Sequence, residues 1–380
     1  KRNGAGVGQT NIYDNVSVKE YQANDLARVD YTGSTSSLLA EPQRTNLVTY
    51  SEALSTMANF STITDNILTS PTGQINASLV VENTDTNSHG INKNAIIPTN
   101  PSALDYTISI FAKKKERQYL QFQFYADGTS VSSSGFDLEN GTTLGNADTH
   151  KIDDFGNGWY RCSFTTSLTQ STGSFNFSRV SMGSSSVTFY YAGDGSSGLY
   201  MFGFQVEQGS YATSYIPTDG STVTRVQDQY TKTGISDKIN STEGVLFVDM
   251  SALVEVDTNR RFITLNDGGA SNNVVLRYEA TGVITARYQV GGVAQCSIAF
   301  ATTITNSHKI AFKYKVNDFA LWIDGTEVGT DTSGSVLAAD TINKISFDSG
   351  NGSFPFFGKV KQLQVYKTAL TDAQLTSLTS

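Results

Sequence analysis

The sequence predicts an all-β protein made of two antiparallel β-sandwiches, and three observations support this prediction. Apolar and polar residues alternate in short runs, as in residues 119–125 (YLQFQFY). Alternation with a period of two is typical of strands with one face in a core and the other in water. Turn pairs such as Asp127-Gly128 and Asp324-Gly325 follow such runs and supply the positive φ angles of tight hairpins. The 380 residues exceed what one hydrophobic core usually covers, so we expect two domains.

A repeated strand pattern suggests the domain boundaries. Apolar residues spaced by two recur in residues 13–18, 201–206 and 360–365. The second and third copies have the pattern of strands that close a domain. The first copy comes too early to close a domain within this chain. It ends a truncated upstream module, pairs with a neighbouring domain or protomer, or is an ordinary edge strand.

The predicted organisation follows from these closing strands. It comprises an N-terminal strand or arm segment (1–35), a first sandwich (36–222), a linker (223–239) and a second sandwich (240–380).

One short helix is predicted at the C-terminal end. The residues from Thr371 to Gln374 match a capping box, in which the two side chains satisfy each other's backbone amides. Leu370, Leu375 and Leu378 can share one face of that helix.

Composition excludes several classes of partner and site. The net charge of −8 disfavours nucleic acid, because affinity for phosphates comes from basic residues. The densest basic run, residues 113–117, is predicted to be a solvated hairpin turn. No stretch approaches the roughly 18 apolar residues of a membrane span, so we expect no membrane insertion. Cys162 and Cys296 fall in different predicted domains, so we expect free, buried thiols.

A series of motifs in the first predicted domain resembles a known family. The motifs are residues 38–47 (LLAEPQRTNL), 109–113 (SIFAK), 156–161 (GNGWYR) and 204–218 (FQVEQGSYATSYIPT). In this order they resemble concanavalin-like lectin/glucanase domains of phage tail fibres, other virion proteins and prophage-derived proteins. The second predicted domain is similar to laminin-G-like sandwiches through residues 309–314 and 319–325.

The resemblance implies two jelly-roll sandwiches used for carbohydrate binding or particle decoration. It implies no required cofactor, although a structural calcium ion occurs in some such domains. The calcium candidates are oxygen-bearing residues in two loops of the second domain, Asp267, Asp348 and Asn351, which are also ordinary turn residues.

Catalytic candidates are few. The three histidines have no second His or Cys at metal-ligand spacing. A retaining glycosidase needs two carboxylates about 5 Å apart, and Asp137 with Glu139 or Glu255 with Asp257 have that spacing on a strand. Neither pair extends to the Glu-x-Asp-x-Glu pattern of lichenase-like sandwiches, so we predict solvated strand ends. His89 lacks the motif of a sandwich lyase.

Ligand-binding candidates are aromatic residues beside polar ones at strand ends, because sugar rings present an apolar C–H face and hydroxyl groups. They are Tyr125 with Asp127, Tyr160 or Arg161, and Tyr190 with Tyr191 and Asp194. Trp159 and Trp322 are predicted to be core residues, since large aromatic side chains dominate core packing.

These observations favour a non-enzymatic carbohydrate-binding or adhesive protein on a virion surface or an extracellular scaffold. Its expected partners are a glycan or cell-surface polysaccharide and other virion subunits, with a homotrimer if the chain belongs to a fibre. Two alternatives stay open at this point. One is a polysaccharide lyase or glycosidase, or its accessory binding module, and the other is a purely structural virion protein.

Overall fold

The computed structural model describes residues 27–31, 35–132, 135–145, 149–171, 175–255 and 259–380. The predictions for residues 13–18 and for Asp257 lie outside these ranges. The chain divides into two compact units. The first contains Thr45–Val223, and the second combines the segment that ends at Arg44 with Thr224–Ser380.

The first nineteen strands in chain order are β1 (Arg28–Asp30), β2 (Ser37–Ala40), β3 (Arg44–Asn46), β4 (Ala58–Asn59), β5 (Ser61–Thr69), β6 (Ile75–Glu82), β7 (Thr86–Asn87), β8 (Gly90–Asn94), β9 (Asn100–Lys114), β10 (Tyr119–Ala126), β11 (Thr129–Ser132), β12 (Phe136–Asp137), β13 (Thr142–Thr143), β14 (His150–Asp154), β15 (Trp159–Gln170), β16 (Phe177–Gly183), β17 (Tyr191–Ala192), β18 (Gly198–Gln208) and β19 (Val223–Arg225).

The remaining strands are β20 (Thr231–Thr233), β21 (Glu243–Ala252), β22 (Arg261–Asn266), β23 (Asn273–Tyr278), β24 (Val283–Val290), β25 (Val293–Ala301), β26 (His308–Lys315), β27 (Phe319–Ile323), β28 (Thr326–Asp331), β29 (Lys344–Ser346) and β30 (Gly358–Tyr366). The helical elements of the described ranges are two 3-10 turns, Leu54–Met57 and Ser236–Lys238, and helix α1 (Asp372–Thr379).

Each unit is an antiparallel jelly-roll sandwich, as the sequence predicts. The first unit contains one sheet in the order β13-β12-β10-β16-β8-β4, with β11 also paired to β10, and one in the order β14-β15-β9-β18-β6-β5. The second contains β1-β2-β30-β21-β26-β27-β28 and β20-β29-β22-β23-β24-β25. Strands that are distant in sequence are neighbours in every sheet, which is a property of jelly rolls.

Alternation within the strands builds the core of the first unit. Leu120, Phe122 and Phe124 on β10 are fully buried and share one hydrophobic cluster with Ile108 and Ile110 of β9. The intervening residues of β10 point to the other side of its sheet and are half-buried. The hairpin from β10 to β11 turns at Asp127 and Gly128, whose φ angles of 46° and 77° confirm the predicted turn.

The second unit includes a strand that the sequence assigned to the first sandwich. Residues 37–40 lay within the predicted range 36–222, but β2 pairs with β30, with Leu38 opposite Val360. Ala40 is 1% exposed and belongs to the hydrophobic cluster of the second unit. The range therefore needs correction at its beginning, because β2 continues the sheet of β30 and buries apolar side chains there.

The C-terminal helix confirms its predicted cap. Thr371 N donates to Gln374 Oε1 at 2.9 Å, and Gln374 N donates to Thr371 Oγ1 at 3.4 Å. Leu375 is buried and packs with Trp322. Trp322 and Trp159 are 7% and 3% exposed, which confirms both as buried residues. In the described part of the chain, no helix is long and apolar enough to span a membrane.

Both cysteines are free and buried, as predicted. Burial raises the pKa of the Cys296 thiol to about 12, with Asp331 adding to the shift, and it also raises the pKa of the Cys162 thiol. The thiolate is the reactive form. We therefore expect Ellman's reagent to label neither thiol of the native chain at mildly alkaline pH and both in guanidinium chloride. Labelling of the native chain would contradict this expectation.

Candidate functional site

A groove lies on the outer face of the sheet that contains β10, β16 and β8 in the first unit. Its volume is about 450 Å³. We call it the first-unit groove and define it by its lining residues, Ser88, Gln121, Gln123, Arg179, Val187, Thr188, Phe189 and Tyr190.

The floor of the groove is polar because strand alternation turns these residues away from the core. Gln123 on β10 is the register partner of Arg179 on β16, and Arg179 is the register partner of Asn92 on β8. The three side chains therefore lie in one row across the sheet. Arg179 Nη1 donates to Gln123 Oε1 at 3.3 Å, which orients the guanidinium within this row.

Two polar atoms in this row are buried without hydrogen-bond partners among the described residues. They are the Nε donor of Arg179 and the Oδ1 acceptor of Asn92. Arg179 also forms no ion pair within the described part of the chain, and burial lowers the pKa of its guanidinium. Buried polar groups normally pair with protein atoms or ordered water.

One wall of the groove is the loop between β16 and β17. Ser184 N donates to Thr188 O at 3.0 Å, and the Phe189 ring packs against Gly183. A Cβ atom on Gly183 would lie 2.7 Å from Phe189 Cε1, so glycine is needed for this approach. Tyr190 follows with 64% of its surface exposed. The Phe189 ring therefore anchors the loop, and the Tyr190 ring is exposed to solvent.

An aromatic cluster lies at the opposite end of the same face. The Tyr125 ring stacks on the Phe177 ring with centroids 5.3 Å apart, and the guanidinium of Arg179 lies 4.7 Å from the Phe177 centroid. Phe175 contacts both rings and is 60% exposed. The face therefore offers apolar rings at both ends and polar groups between them.

The predicted ligand residues occupy different places. Tyr190 lines the groove, and Tyr125 lies in the aromatic cluster on the same face. Asp127 caps a turn by accepting from Ser171 N and Oγ at 2.6 Å each. The Tyr160 ring packs against Gly141, and the half-buried side chain contacts the main core of the unit.

Arg161 lies on the other sheet of the first unit and is 9% exposed. Its Nη2 donates to Ser109 Oγ at 3.1 Å, and its guanidinium lies 5.3 Å from the Phe111 centroid. This side chain holds the outer face of that sheet together, and the structure does not bring it to the groove.

Tyr191 and Asp194 belong to a network around the buried Glu82. Arg117 donates to Glu82 through Nε at 2.8 Å and Nη2 at 2.6 Å, and Tyr191 Oη donates at 2.6 Å. Asp194 N donates to Glu82 Oε1 at 2.8 Å. The Asp194 carboxylate accepts from the backbone and hydroxyl of Ser197, which hold the pKa of that carboxyl well below its usual range. The network thus holds in place the segment Tyr191 to Asp194, which directly follows Tyr190.

The carboxylate pairs considered for catalysis are engaged in structural contacts. Asp137 is buried and accepts hydrogen bonds from Glu139 N and Asn140 Nδ2 at 2.9 and 2.8 Å. Glu139 forms an ion pair with Lys114. Glu255 accepts from Ile304 N at 3.2 Å. These contacts make the described carboxylates caps of turns and strand ends.

His89 is fully buried, with Nδ1 2.6 Å from Phe60 O and Nε2 3.1 Å from Tyr191 O. Both ring nitrogens are thus occupied by backbone carbonyl groups. His89 helps to fasten the same segment as the Glu82 network.

The three calcium candidates cap turns in the second unit. Asp267 Oδ1 accepts from Gly269 N at 2.9 Å, Asp348 Oδ1 accepts from Gly350 N at 2.6 Å, and Asn351 Oδ1 accepts from Ser353 N. No group of three or more His, Cys, Asp or Glu residues among those described could hold a metal ion. The oxygens fit turn caps better than the six to eight ligands of calcium, and calcium stays a prediction from the sequence.

Sequence reasoning missed Gln121, Gln123, Arg179 and Asn92. Alternation already marked Gln121 and Gln123 as outward-facing, but such residues are common on every solvated strand face. Only the cross-strand register shows that they share a face with Arg179 and Asn92.

No protein-family model matches the chain, and no curated relative matches it. Among solved structures it is similar to the CBM40 module of Ruminococcus gnavus IT-sialidase bound to α2,3-sialyllactose, at 15% identity over 40% of this chain and 98% of that chain, with a TM-score of 0.32. A heptameric SAP-like pentraxin from Limulus polyphemus is 12% identical over 40% of this chain and 82% of that chain, with a TM-score of 0.30. Sheep galectin-11 is 8% identical over 37% of this chain and 99% of that chain, with a TM-score of 0.26. Similarity at this level assigns neither a family nor a ligand.

Proposed function

We propose that the chain is a non-enzymatic carbohydrate-binding protein that takes a sugar in the first-unit groove. The observation that carries the proposal is a groove lined by the polar side chains of Gln121, Gln123 and Arg179, with an exposed aromatic ring at each end of the same sheet face. A hydroxyl group both accepts and donates hydrogen bonds, so a sugar matches the guanidinium donors of Arg179 and the side-chain amides of Gln121 and Gln123. The exposed rings of Tyr190 and Phe175 offer apolar surface to the C–H faces of sugar rings.

We further propose that this binding serves attachment. In this proposal the chain is displayed on a phage particle, as part of a tail or head fibre, or on a secreted extracellular scaffold. The receptor is then a glycan or cell-surface polysaccharide, other virion subunits are the structural partners, and a homotrimer is the form in a fibre. The support for this part is the resemblance of the ordered motifs in residues 38–218 to those of virion proteins.

A glycan array probed with the full chain tests the groove. We expect wild-type binding, and a loss of about tenfold to a hundredfold in Arg179→Gln, because a hydrogen bond to a charged group contributes about 1.5–3 kcal/mol. Tyr190→Ala is expected to weaken binding several-fold by removing an exposed ring. Matched controls are Lys151→Gln, which removes an exposed positive charge, and Tyr31→Ala, which removes an exposed ring outside the groove.

Three outcomes would contradict the proposal. If the wild-type chain bound no glycan, the purely structural alternative would be favoured. Equal losses in the control variants would show that the groove is not the site. Release of dye from dyed polysaccharides by the purified chain would favour a degrading enzyme, whereas binding without release is also compatible with an accessory binding module.

A further inference from the structure

The second unit carries a positively charged cluster on the outer face of its β22-β23-β24 sheet. Among the described residues it consists of Arg260, Arg277 and Arg287 around a single carboxylate, Glu279, and we call it the arginine face. Arg277 on β23 is opposite Thr285 on β24, and Arg287 lies two residues further along β24 on the same face. The two guanidinium groups therefore belong to neighbouring positions on one surface.

The Glu279 carboxylate of this cluster accepts hydrogen bonds from three side chains. Glu279 accepts from Arg277 Nε at 2.7 Å, from Arg260 Nε at 2.6 Å and from Thr285 Oγ1 at 3.0 Å. Within the described part of the chain, three arginines against one glutamate leave two positive charges without a carboxylate. Burial lowers the pKa of Arg277, and the neighbouring charges of Arg260 and Arg287 lower it further against the opposing effect of Glu279.

Arg287 has no partner among the described residues. It forms no ion pair or hydrogen bond there, and its Nε atom is buried. A buried donor of a charged group is costly when it is unpaired, so a native structure normally supplies an acceptor. Because the Arg287 side chain is only half-buried, its other guanidinium donors are within reach of a bound anion, and planar guanidinium groups match carboxylate and sulfate oxygens.

An exposed aromatic ring lies next to the arginine face. Phe354 stacks on Phe262 with centroids 5.5 Å apart, and the Arg277 guanidinium lies 5.1 Å from the Phe262 centroid. Phe354 is 43% exposed and has a φ angle of 52°, a conformation that bulky side chains rarely adopt. Strained residues of this kind cluster at binding and catalytic sites.

We infer that the arginine face and Phe354 form a second binding site, for a saccharide that bears carboxylate or sulfate groups. The anionic substituent pairs with Arg287 and with the further positive charge that Glu279 does not neutralise, while a sugar ring packs against Phe354. This site is separate from the first-unit groove, and its existence does not depend on the function proposed for that groove.

The arrangement favours a saccharide over other polyanions. Arg277 is 8% exposed and Arg287 is half-buried, so a slender anionic substituent reaches them more readily than a bulky surface does. Phe354 offers an apolar surface to the C–H face of a sugar ring, which a polyphosphate lacks. Neutral sugars would leave the two positive charges uncompensated.

The test measures binding of the full chain to polygalacturonate, dextran sulfate and neutral dextran by affinity electrophoresis at physiological salt. Binding to polygalacturonate identifies the carboxylate form of the ligand and binding to dextran sulfate the sulfate form. We expect Arg287→Gln to weaken binding at least about tenfold, the loss of one hydrogen bond between charged groups. Lys361→Gln removes the same charge from an exposed position of β30 in the same unit and is the matched control.

Phe354→Gly is a second variant that separates binding from folding. It removes the exposed ring and also the backbone strain, so we expect weaker binding with a melting temperature close to that of the wild type. Arg179→Gln, in the first-unit groove, is expected to leave this binding unchanged. Failure of the glycan array at the groove would therefore not affect this result.

Several outcomes overturn the inference. They are a wild-type chain that binds neither charged polymer, neutral dextran bound as well as the charged polymers, and equal losses in Arg287→Gln and Lys361→Gln. Arg287-dependent binding of an oligonucleotide or an acidic peptide without binding of the charged polysaccharides would also overturn it, in favour of a different class of partner.

Discussion

Replacement of Arg117 by methionine is expected to lower the free energy of unfolding of the first unit by about 3–5 kcal/mol at neutral pH. Glu82 is 1% exposed, and Arg117 provides two of its hydrogen bonds together with its counter-charge. Without Arg117, a buried carboxylate would keep only the donors Tyr191 Oη and Asp194 N. An ion left in the interior without its partner costs more than the pair contributed.

The same substitution is expected to reverse the pH dependence of the contribution that Glu82 makes to the free energy of unfolding. Burial raises the pKa of Glu82, but hydrogen bonds from Arg117 and Tyr191 lower it more, so it lies below its ordinary value of 4.5. Its contribution in the wild type is therefore present above pH 4.5 and is lost as the pH falls through the folded-state pKa. In Arg117→Met burial dominates and raises the pKa, so acidification towards pH 4.5 stabilises the variant.

Urea unfolding followed by tryptophan fluorescence measures this effect. The chain has two tryptophans, Trp159 in the first unit and Trp322 in the second, so a Trp322→Phe background reports the first unit alone. Lys115→Met is the matched control, because Lys115 pairs with Glu116 at the surface and such pairs contribute about 1 kcal/mol or less. Equal losses of unfolding free energy in Arg117→Met and Lys115→Met would contradict a buried Glu82 charge. So would a stability difference between wild type and Arg117→Met that does not shrink on acidification.

Asn46→Ala is expected to cost the first unit about 3 kcal/mol or more, because unpaired buried groups cost about 1–3 kcal/mol each. Asn46 is fully buried within one of the motifs that carry the family resemblance. Its Nδ2 donates to Ile216 O at 2.9 Å and to Phe204 O at 3.4 Å. Its Oδ1 accepts from Val48 N at 3.1 Å and from Val206 N at 3.2 Å.

This amide joins three backbone segments, and no apolar side chain replaces its four hydrogen bonds. The measurement is again urea unfolding in the Trp322→Phe background. Asn100→Ala is the control, because within the described ranges the Asn100 side chain hydrogen-bonds only to nearby Ser102 and is less buried. If Asn46→Ala lowered the free energy of unfolding no more than Asn100→Ala does, water would replace the Asn46 hydrogen bonds.

The Asn46 contacts also explain what the family motifs contribute. The first-unit end of the motif at residues 38–47 meets residues 204–218 through Asn46, and within residues 204–218 Gln205 Oε1 accepts from Ile216 N at 2.7 Å. Glu207, also buried, accepts from Thr213 N at 2.9 Å. These motif residues stabilise the fold, whereas the residues of the first-unit groove lie in segments that the motifs do not include.

The sequence by itself determined the features that depend on neighbouring residues. A period of two in residues 119–125 places Phe122 in the core and Gln123 outside, because successive side chains of a strand point to opposite faces. Asp324-Gly325 adopts φ angles of 48° and 81° between β27 and β28, as the turn chemistry requires. The capping box of α1 depends only on Thr371 and Gln374, which lie within one helical turn of each other.

Only the tertiary structure decided which strands pair and therefore which side chains meet. The sequence places residues 37–40 in the range of the first sandwich, whereas β2 pairs with β30 of the second unit. In the same way, Arg179 and Asn92 become neighbours through the register of β16 and β8, and Arg277 and Arg287 through that of β23 and β24. Strand pairing is set by long-range packing of apolar faces, so both candidate binding surfaces depend on contacts that no local pattern encodes.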